Sequence, residues 1–328
     1  MAYGDTSNPA RFLYGQDSSD SRYLSLKVFG GEVLTAFDLA TIFDSRTETR
    51  SIQRGAKSAS FPKTWKATAE YHTPGTELLG NDIDTTEIVV TVDDILVSHF
   101  AVADLDAMLT HFEVRAPFAQ TTGYSLAKVY DKNIARQLIL ASRTSADGPF
   151  PGGQNVTDSS LTNSGAIDGK AWIDAIRDAN TKLFNVDVPD EQPRYLAVNK
   201  DVFDAIKYST DANGNYLVLN RDFGNIQAGG VAGAGPALEI DGVTIFKTRN
   251  LPTTNETSDT TVYSKYRANY STTTGILWTP MAIATVKLMD IGFETTRDTR
   301  RLEDFTVAKM FVGHGTLRPE CAIEFKTS

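Results

Sequence analysis

The stretch Arg46-Thr-Glu-Thr-Arg-Ser-Ile-Gln-Arg-Gly-Ala-Lys-Ser-Ala-Ser-Phe-Pro-Lys-Thr-Trp-Lys66 decides how the chain is read. Its six basic side chains, Arg46, Arg50, Arg54, Lys57, Lys63 and Lys66, face Glu48 as their one acidic counterpart. Yet the 328-residue chain as a whole is acidic, with 32 Lys and Arg against 41 Asp and Glu and a net charge of −9. That balance opposes a tight, sequence-independent grip on phosphate backbones. Trp65 and Phe61 could stack on bases, but docking on an acidic partner is favoured. In a homo-oligomer the acidic remainder of each copy supplies that partner surface to the next.

The composition around this segment points to an extended element. Thr, Ser and aromatic residues lead to a Pro74-Gly75 turn signal, which predicts a long two-stranded hairpin with a loose tip. Such a hairpin is marginal in water alone and needs a surface to lie on. On its N-terminal side, residues 23–43 carry Leu24, Leu26, Val28, Phe29, Val33, Leu34 and Phe37 with neither a helical nor a strand period. An arm that packs against something else is expected there.

Beyond the hairpin, residues 87–97 are dense in β-branched side chains and predict one strand, and a short helix is expected over 102–109. Leu126, Tyr130, Ile134 and Leu138 repeat every four residues after Pro117, predicting a long amphipathic helix that ends near Ser142. A Gly/Ser/Asn-rich connector over 144–169 marks a module boundary. A helix with Trp172, Ile176, Ala179 and Leu183 on one face follows, then a strand at 195–198 and a helix at 200–208. After a glycine-rich loop come strands near 243–247 and 275–277, an alternation that implies a compact α/β module. Runs at 286–296 and 305–312 form a second long hairpin, and after turn signals at Gly313-His314-Gly315 and Arg318-Pro319 a last strand covers 321–326.

No catalytic or ligand-binding set emerges. His72, His99, His111 and His314 lack metal-ligand spacing and read as isolated surface or interface histidines. Gly229, Gly230, Gly233 and Gly235 lack the Gly-Lys-Ser/Thr ending of a phosphate loop and read as a surface loop. Asp93-Asp94 and Glu303-Asp304 read as solvated charges, since strand neighbours point to opposite faces. No Gly-x-Ser-x-Gly nucleophile elbow is present. Cys321 is the single cysteine, so no intrachain disulfide can form. Neither a secretion signal nor a membrane-length apolar run is expected.

Several runs nevertheless resemble a known family. Leu26-Lys-Val-Phe-Gly-Gly-Glu-Val-Leu-Thr-Ala-Phe37, Phe112-Glu-Val-Arg-Ala-Pro-Phe118, Gly123-Tyr-Ser-Leu-Ala127, Thr285-Val-Lys-Leu288 and Gly313-His-Gly-Thr-Leu-Arg-Pro-Glu320 are similar to segments of the major capsid proteins of T-seven-like short-tailed phages. The resemblance covers residues 24–143 and 280–326, and the centre matches in its order of elements. It implies an α+β fold of the Hong Kong ninety-seven type. An N-terminal arm would occupy 1–45 and an extended loop 46–84. A peripheral domain with a spine helix would take 85–145 and 286–315, and an axial domain 146–285 and 316–328.

What the resemblance implies functionally is a structural protein of the virion without cofactor or metal. It would assemble in the host bacterial cytoplasm into pentamers and hexamers of an icosahedral shell around double-stranded DNA, touched weakly. Scaffolding protein, portal and a decoration or cement protein would be its other partners, with no membrane involved. Candidate contacts between subunits are Arg46, Arg50, Arg54, Lys57, Lys63 and Trp65 of the loop, with Phe29 and Phe37 of the arm. A lysine-asparagine cross-link known in some relatives is not carried over, because no motif aligns Lys57 or Lys63. Two rivals remain: an encapsulin-like compartment shell of the same fold, and a cytoplasmic α/β enzyme built on the module at 144–279.

Overall fold

The computed structural model describes residues 43–104, 115–210 and 237–328, apart from Lys66, Thr68, Thr76, Leu78, Leu79, Asn81 and Asp82. The expected arm, with Phe29 and Phe37, and the glycine-rich loop lie outside the described residues, as does His111. The chain divides into two compact units. One comprises Asp93–Tyr130 with Lys287–Val312, and the other Ile42–Val92, Asp131–Val286 and Gly313–Ser328.

Twelve strands and three α-helices make up the described part. In chain order they are β1 (Glu48–Ser51), β2 (Ser58–Thr64), β3 (Thr85–Thr91), β4 (Leu96–Ala103), α1 (Arg115–Ser142) and β5 (Gln154–Thr157). Then follow α2 (Gly169–Asn185), β6 (Arg194–Val198), α3 (Lys200–Lys207), β7 (Ala237–Ile240), β8 (Val243–Lys247), β9 (Thr273–Trp278), β10 (Ile283–Asp298), β11 (Glu303–Thr316) and β12 (Ala322–Lys326). The mixture is α+β, as expected. β10 and β11 are the long second hairpin, and a four-stranded sheet runs β1-β10-β11-β4.

In the smaller unit β4 lies antiparallel to β11, from Leu96 opposite Met310 to Ala103 opposite Glu303. The outer end is held by Arg297, whose guanidinium reaches both carboxylate oxygens of Asp104 and stands 3.4 Å from Asp304. Ser98 Oγ meets Ser125 Oγ of α1 at 3.1 Å.

In the larger unit a six-stranded sheet runs β5-β12-β9-β6-β8-β7. β6 is parallel to β8 and antiparallel to β9, while β12 is antiparallel to β9 and parallel to β5. β9 is buried along its whole length, so its Thr-Thr-Gly-Ile-Leu-Trp sequence shows no polar/apolar alternation. α2 starts where the Asp168 carboxylate accepts from the N–H groups of Lys170 and Ala171. Its Trp172, Ile176, Ala179 and Leu183 are completely buried, the face that their spacing predicts.

Three expectations are corrected. The single strand expected over 87–97 is two strands, because β3 pairs with β2 while β4 pairs with β11, and Asp93-Asp94 lie in the change of partner. Val102 and Ala103, assigned to a short helix, belong to β4, where the β-branched side chain fits the ladder. Gly313-His314-Gly315 is not a turn but the interior of β11. The physical reason lies across the chain: a Cβ on Gly313 would stand 2.1 Å from the Thr91 carbonyl oxygen, and one on Gly315 2.6 Å from Val90 Cγ2. Glycine here marks the close approach of another backbone.

That approach closes a small core of Ala59, Val90, Ala284 and Val286, with Phe61, Ile88, Val92 and Leu317 packed against it. The hairpin β2–β3 therefore has a surface to lie on within its own chain at its root. Gly313→Ala puts a methyl group against a carbonyl oxygen that cannot move without β3. It is expected to destabilise the subunit by about 1–3 kcal/mol, read as a lower denaturant midpoint, whereas Gly80→Ala, which meets open space, leaves the midpoint unchanged.

Candidate assembly site

The basic segment separates into two groups once folded. Arg46, at the entry to β1, places its guanidinium carbon 4.0 Å from the centre of the Phe246 ring and 5.6 Å from that of Tyr195. The same turn is pinned by Trp278, whose Nε1–H donates to the Arg46 carbonyl at 3.0 Å and whose ring lies 5.0 Å from that of Phe43. Phe43 N–H donates at 3.1 Å to the fully buried Asp131, whose other oxygen accepts from Asn250. Arg46, half-buried, thus lies over two rings of its own chain.

Lys63 is also turned inward. It is 7% exposed, its Nζ lies 3.5 Å from Glu320 Oε2 and 4.3 Å from the centre of the Phe150 ring. Trp65 stands edge-on to the same Phe150 at 5.3 Å. Inside a sheet-backed core these contacts seat the far end of the hairpin, just as the glycine crossing seats its root.

Arg50, Arg54 and Lys57 form the other group, and all three are exposed. Arg50 Nη1 donates to the Ser60 carbonyl at 2.9 Å and its guanidinium lies over Phe61, so its charge is held at the strand edge. Arg54 and Lys57 flank a turn that needs Gly55, whose φ is +99°. The register Ser58↔Thr91 to Thr64↔Thr85 puts Arg54 and Lys57 at one end of the hairpin, next to the Val92 N–H to Lys57 carbonyl bond. At the other end, about 20 Å away at 3.4 Å per residue, Trp65 N–H donates to the Asp84 carbonyl. The connection that opens there carries exposed Glu70, Glu77 and Asp84. Residues 67–84 hold four acidic residues and no Lys or Arg. Exposed cations therefore stand at one end of the hairpin and exposed carboxylates in the connection at the other, where Lys63 is buried.

Sequence reasoning missed a set of ion pairs at the C-terminal end of α1 and just beyond it. Arg143 donates through Nε and Nη2 to both oxygens of the completely buried Glu324 at 2.9 and 2.6 Å, and Thr273 Oγ1 donates to that carboxylate at 2.6 Å. Burial opposes the charge on Arg143, but the carboxylate hydrogen bond outweighs it and raises the guanidinium pKa above its ordinary value. One helical stretch earlier, Arg136 makes a bidentate pair with Glu256, and Gln137 donates to Thr316 Oγ1. The partners lie 120 to 181 residues away, and no local pattern signals them.

Two sequence readings fail here. His314, expected at the surface or an interface, is 1% exposed and shares a 2.9 Å hydrogen bond between Nδ1 and Thr285 Oγ1. It sits deep because the glycines on either side admit β3 onto β11. Glu303, expected to be solvated, is buried at the start of β11, with Arg301 3.7 Å away. No group of His, Cys, Asp and Glu able to hold a metal exists among the described residues.

Breaking the Arg143–Glu324 pair exposes its value. Glu324→Gln strands a guanidinium that keeps some solvent contact, and is expected to cost about 2–3 kcal/mol in a denaturant titration of dissociated subunits. Cys321 gives a second, pH-dependent prediction. Burial raises its thiol from the ordinary 9.0 to about 11. The folded state then keeps its proton while the unfolded chain ionises. The thiol's contribution is complete below about pH 9 and is lost as pH rises towards 11. Unfolding midpoints measured from pH 8 to 11 should fall more steeply in the native chain than in Cys321→Ala.

A family model described as Gp10A-like: Major capsid protein matches residues 60–326. The chain is 32% identical to the major capsid protein of Enterobacteria phage T3, covering 94% of this chain and 92% of that protein. It is 30% identical to the major capsid protein of Escherichia phage T7, covering 93% and 92%. Among solved structures, the capsid of cyanophage P-SCSP1u superposes with a TM-score of 0.77 at 34% identity, over 99% of both chains. The mature capsid of bacteriophage PhiM1, at 18% identity, shares the fold with a TM-score of 0.73 over 92% of this chain and 91% of that one.

Proposed function

We propose a mode of assembly from one premise: the chain belongs to the Gp10A-like family of major capsid proteins. It is a structural subunit of a tailed-phage virion, a builder of an icosahedral shell and not an enzyme. The fold is mixed α+β, of the kind seen in phage capsids of the Hong Kong ninety-seven type.

Within that frame the hairpin β2–β3 with its connection is the extended loop. α1 is the spine helix, and the six-stranded sheet with α2 and α3 is the axial domain. The observation that carries the reading is the exposure of Arg54 and Lys57 at one end of the hairpin, with Arg50 along its edge, and of Glu70, Glu77 and Asp84 in the connection at the other end. Unlike charges at opposite ends favour a head-to-tail contact between copies, which closes into rings when the rotation allows. Pentamers and hexamers are such rings. Each contact is weak, and the many contacts per copy make the shell strong.

Arg50, Arg54 and Lys57 remain as intersubunit contacts in this proposal. Arg46, Lys63 and Trp65 act instead by holding the hairpin in the orientation that presents them, and Phe29 and Phe37 remain arm contacts. The net charge of −9 suits an inner wall that contacts packaged double-stranded DNA weakly. Scaffolding protein, portal and a decoration protein complete the set of partners.

Charge reversal tests the central claim. Arg54→Glu with Lys57→Glu should lower the yield of closed particles by roughly tenfold at moderate salt, counted by negative-stain microscopy, because attraction becomes repulsion. Soluble subunit should not decrease. Full particle yield from the double reversal would remove the proposed contact.

A further inference from the structure

A cavity of 270 Å³ opens beside the far end of the hairpin, inside the larger unit. Lys63, Thr64 and Trp65 form one wall, and Val186–Pro189, Gln192, Met281, Arg318 and Glu320 form the rest, with Cys321 also lining it. The volume falls below the roughly 300–1,000 Å³ of small-molecule sites, and suits a single large side chain.

Its chemistry is specific. Glu320 is 4% exposed, and its Oε2 accepts no hydrogen bond; Lys63 stands 3.5 Å away as an ion pair. Gln192 Oε1 is likewise buried without a donor, its Nε2 being turned to Met281 Sδ at 3.0 Å. A buried acceptor without a hydrogen-bond donor is costly. The cavity therefore calls for a group with an apolar body and a donor at its tip.

The same chain displays such a group. Tyr71, in the connection between β2 and β3, is fully exposed at 106% of its reference area, the highest value among the described large hydrophobic residues. Leu302 and Phe184 are also exposed but carry no donor. Tyr208 lies against the Lys207 ammonium and Tyr263 against the Tyr266 ring. Tyrosine is a common anchor of protein interfaces because it joins a large apolar face to a hydroxyl.

We propose that Tyr71 of one copy inserts into this cavity of a second copy, its hydroxyl donating to Glu320 Oε2 or Gln192 Oε1. The inference rests on the reading of the hairpin as a bridge between copies and adds to it a specific socket. In the shell the socket takes up the aromatic ring, and the Tyr71 hydroxyl gives these acceptors a hydrogen-bond donor.

Cys321, the chain's one native thiol, makes the test direct. Particles of Tyr71→Cys, treated with a mild oxidant and run on a non-reducing denaturing gel, should show covalently linked oligomers. Tyr71→Cys with Cys321→Ser should stay monomeric under the same treatment. Well-formed particles that give only monomer, or a disulfide within one chain, overturn the socket while leaving the charge contact at Arg54 and Lys57 untouched. A second measurement does not depend on that variant assembling. Tyr71→Ala and the cavity-filling Gln192→Phe should each lower particle yield by roughly tenfold, the loss of one anchor, and together should lower it no further. Multiplying losses, or none, overturn the proposal.

Discussion

The close crossing of β3 and β11 is the constraint on which the rest of the hairpin depends. Gly313 and Gly315 carry no side chain, so the backbone at Thr91 and the side chain of Val90 come down onto β11. The small core around Val90, Ala59, Ala284 and Val286 closes there. A two-stranded ribbon has too little surface to be stable alone. Seated at its root by glycine and at its far end by Lys63 and Trp65, it becomes a fixed strut. A fixed strut can present charges in a defined direction, which a loose one cannot.

The division of labour among the cations follows from that need. A cation over an aromatic face in a partly dry setting is attracted by the ring, and Arg46 and Lys63 are used that way on Phe246 and Phe150. Arg54 and Lys57 stay exposed. Folding brings Arg46 and Lys63 onto aromatic rings of the same chain and leaves the other two at the surface. Phe43 is held in the same way, by Trp278 and Asp131.

The larger unit gains its definition from ion pairs at the C-terminal end of α1 and just beyond it. Arg136–Glu256 and Arg143–Glu324 add direction that apolar packing lacks, since a guanidinium accepts a carboxylate in only a few geometries. They extend a helix whose apolar stripe, Tyr130, Ile134 and Leu138, was readable from its four-residue spacing. The stripe says which side faces inward, and the pairs fix which elements it faces.

The sequence alone determined the elements and the family. The period of α1, the buried face of α2 from Trp172 to Leu183, the long second hairpin and the basic segment all follow from local spacing, because helix and strand periodicity are local properties. The long runs near both ends were specific enough to mark a capsid protein. Tertiary structure alone decided which cations turn inward, that Gly313-His314-Gly315 runs as strand, that residues 87–97 change partner, and that His314, Glu303 and Glu320 are buried. Each of these depends on a chain segment far away in sequence coming within a few ångströms, and a residue's type carries no record of that neighbour until the chain has folded.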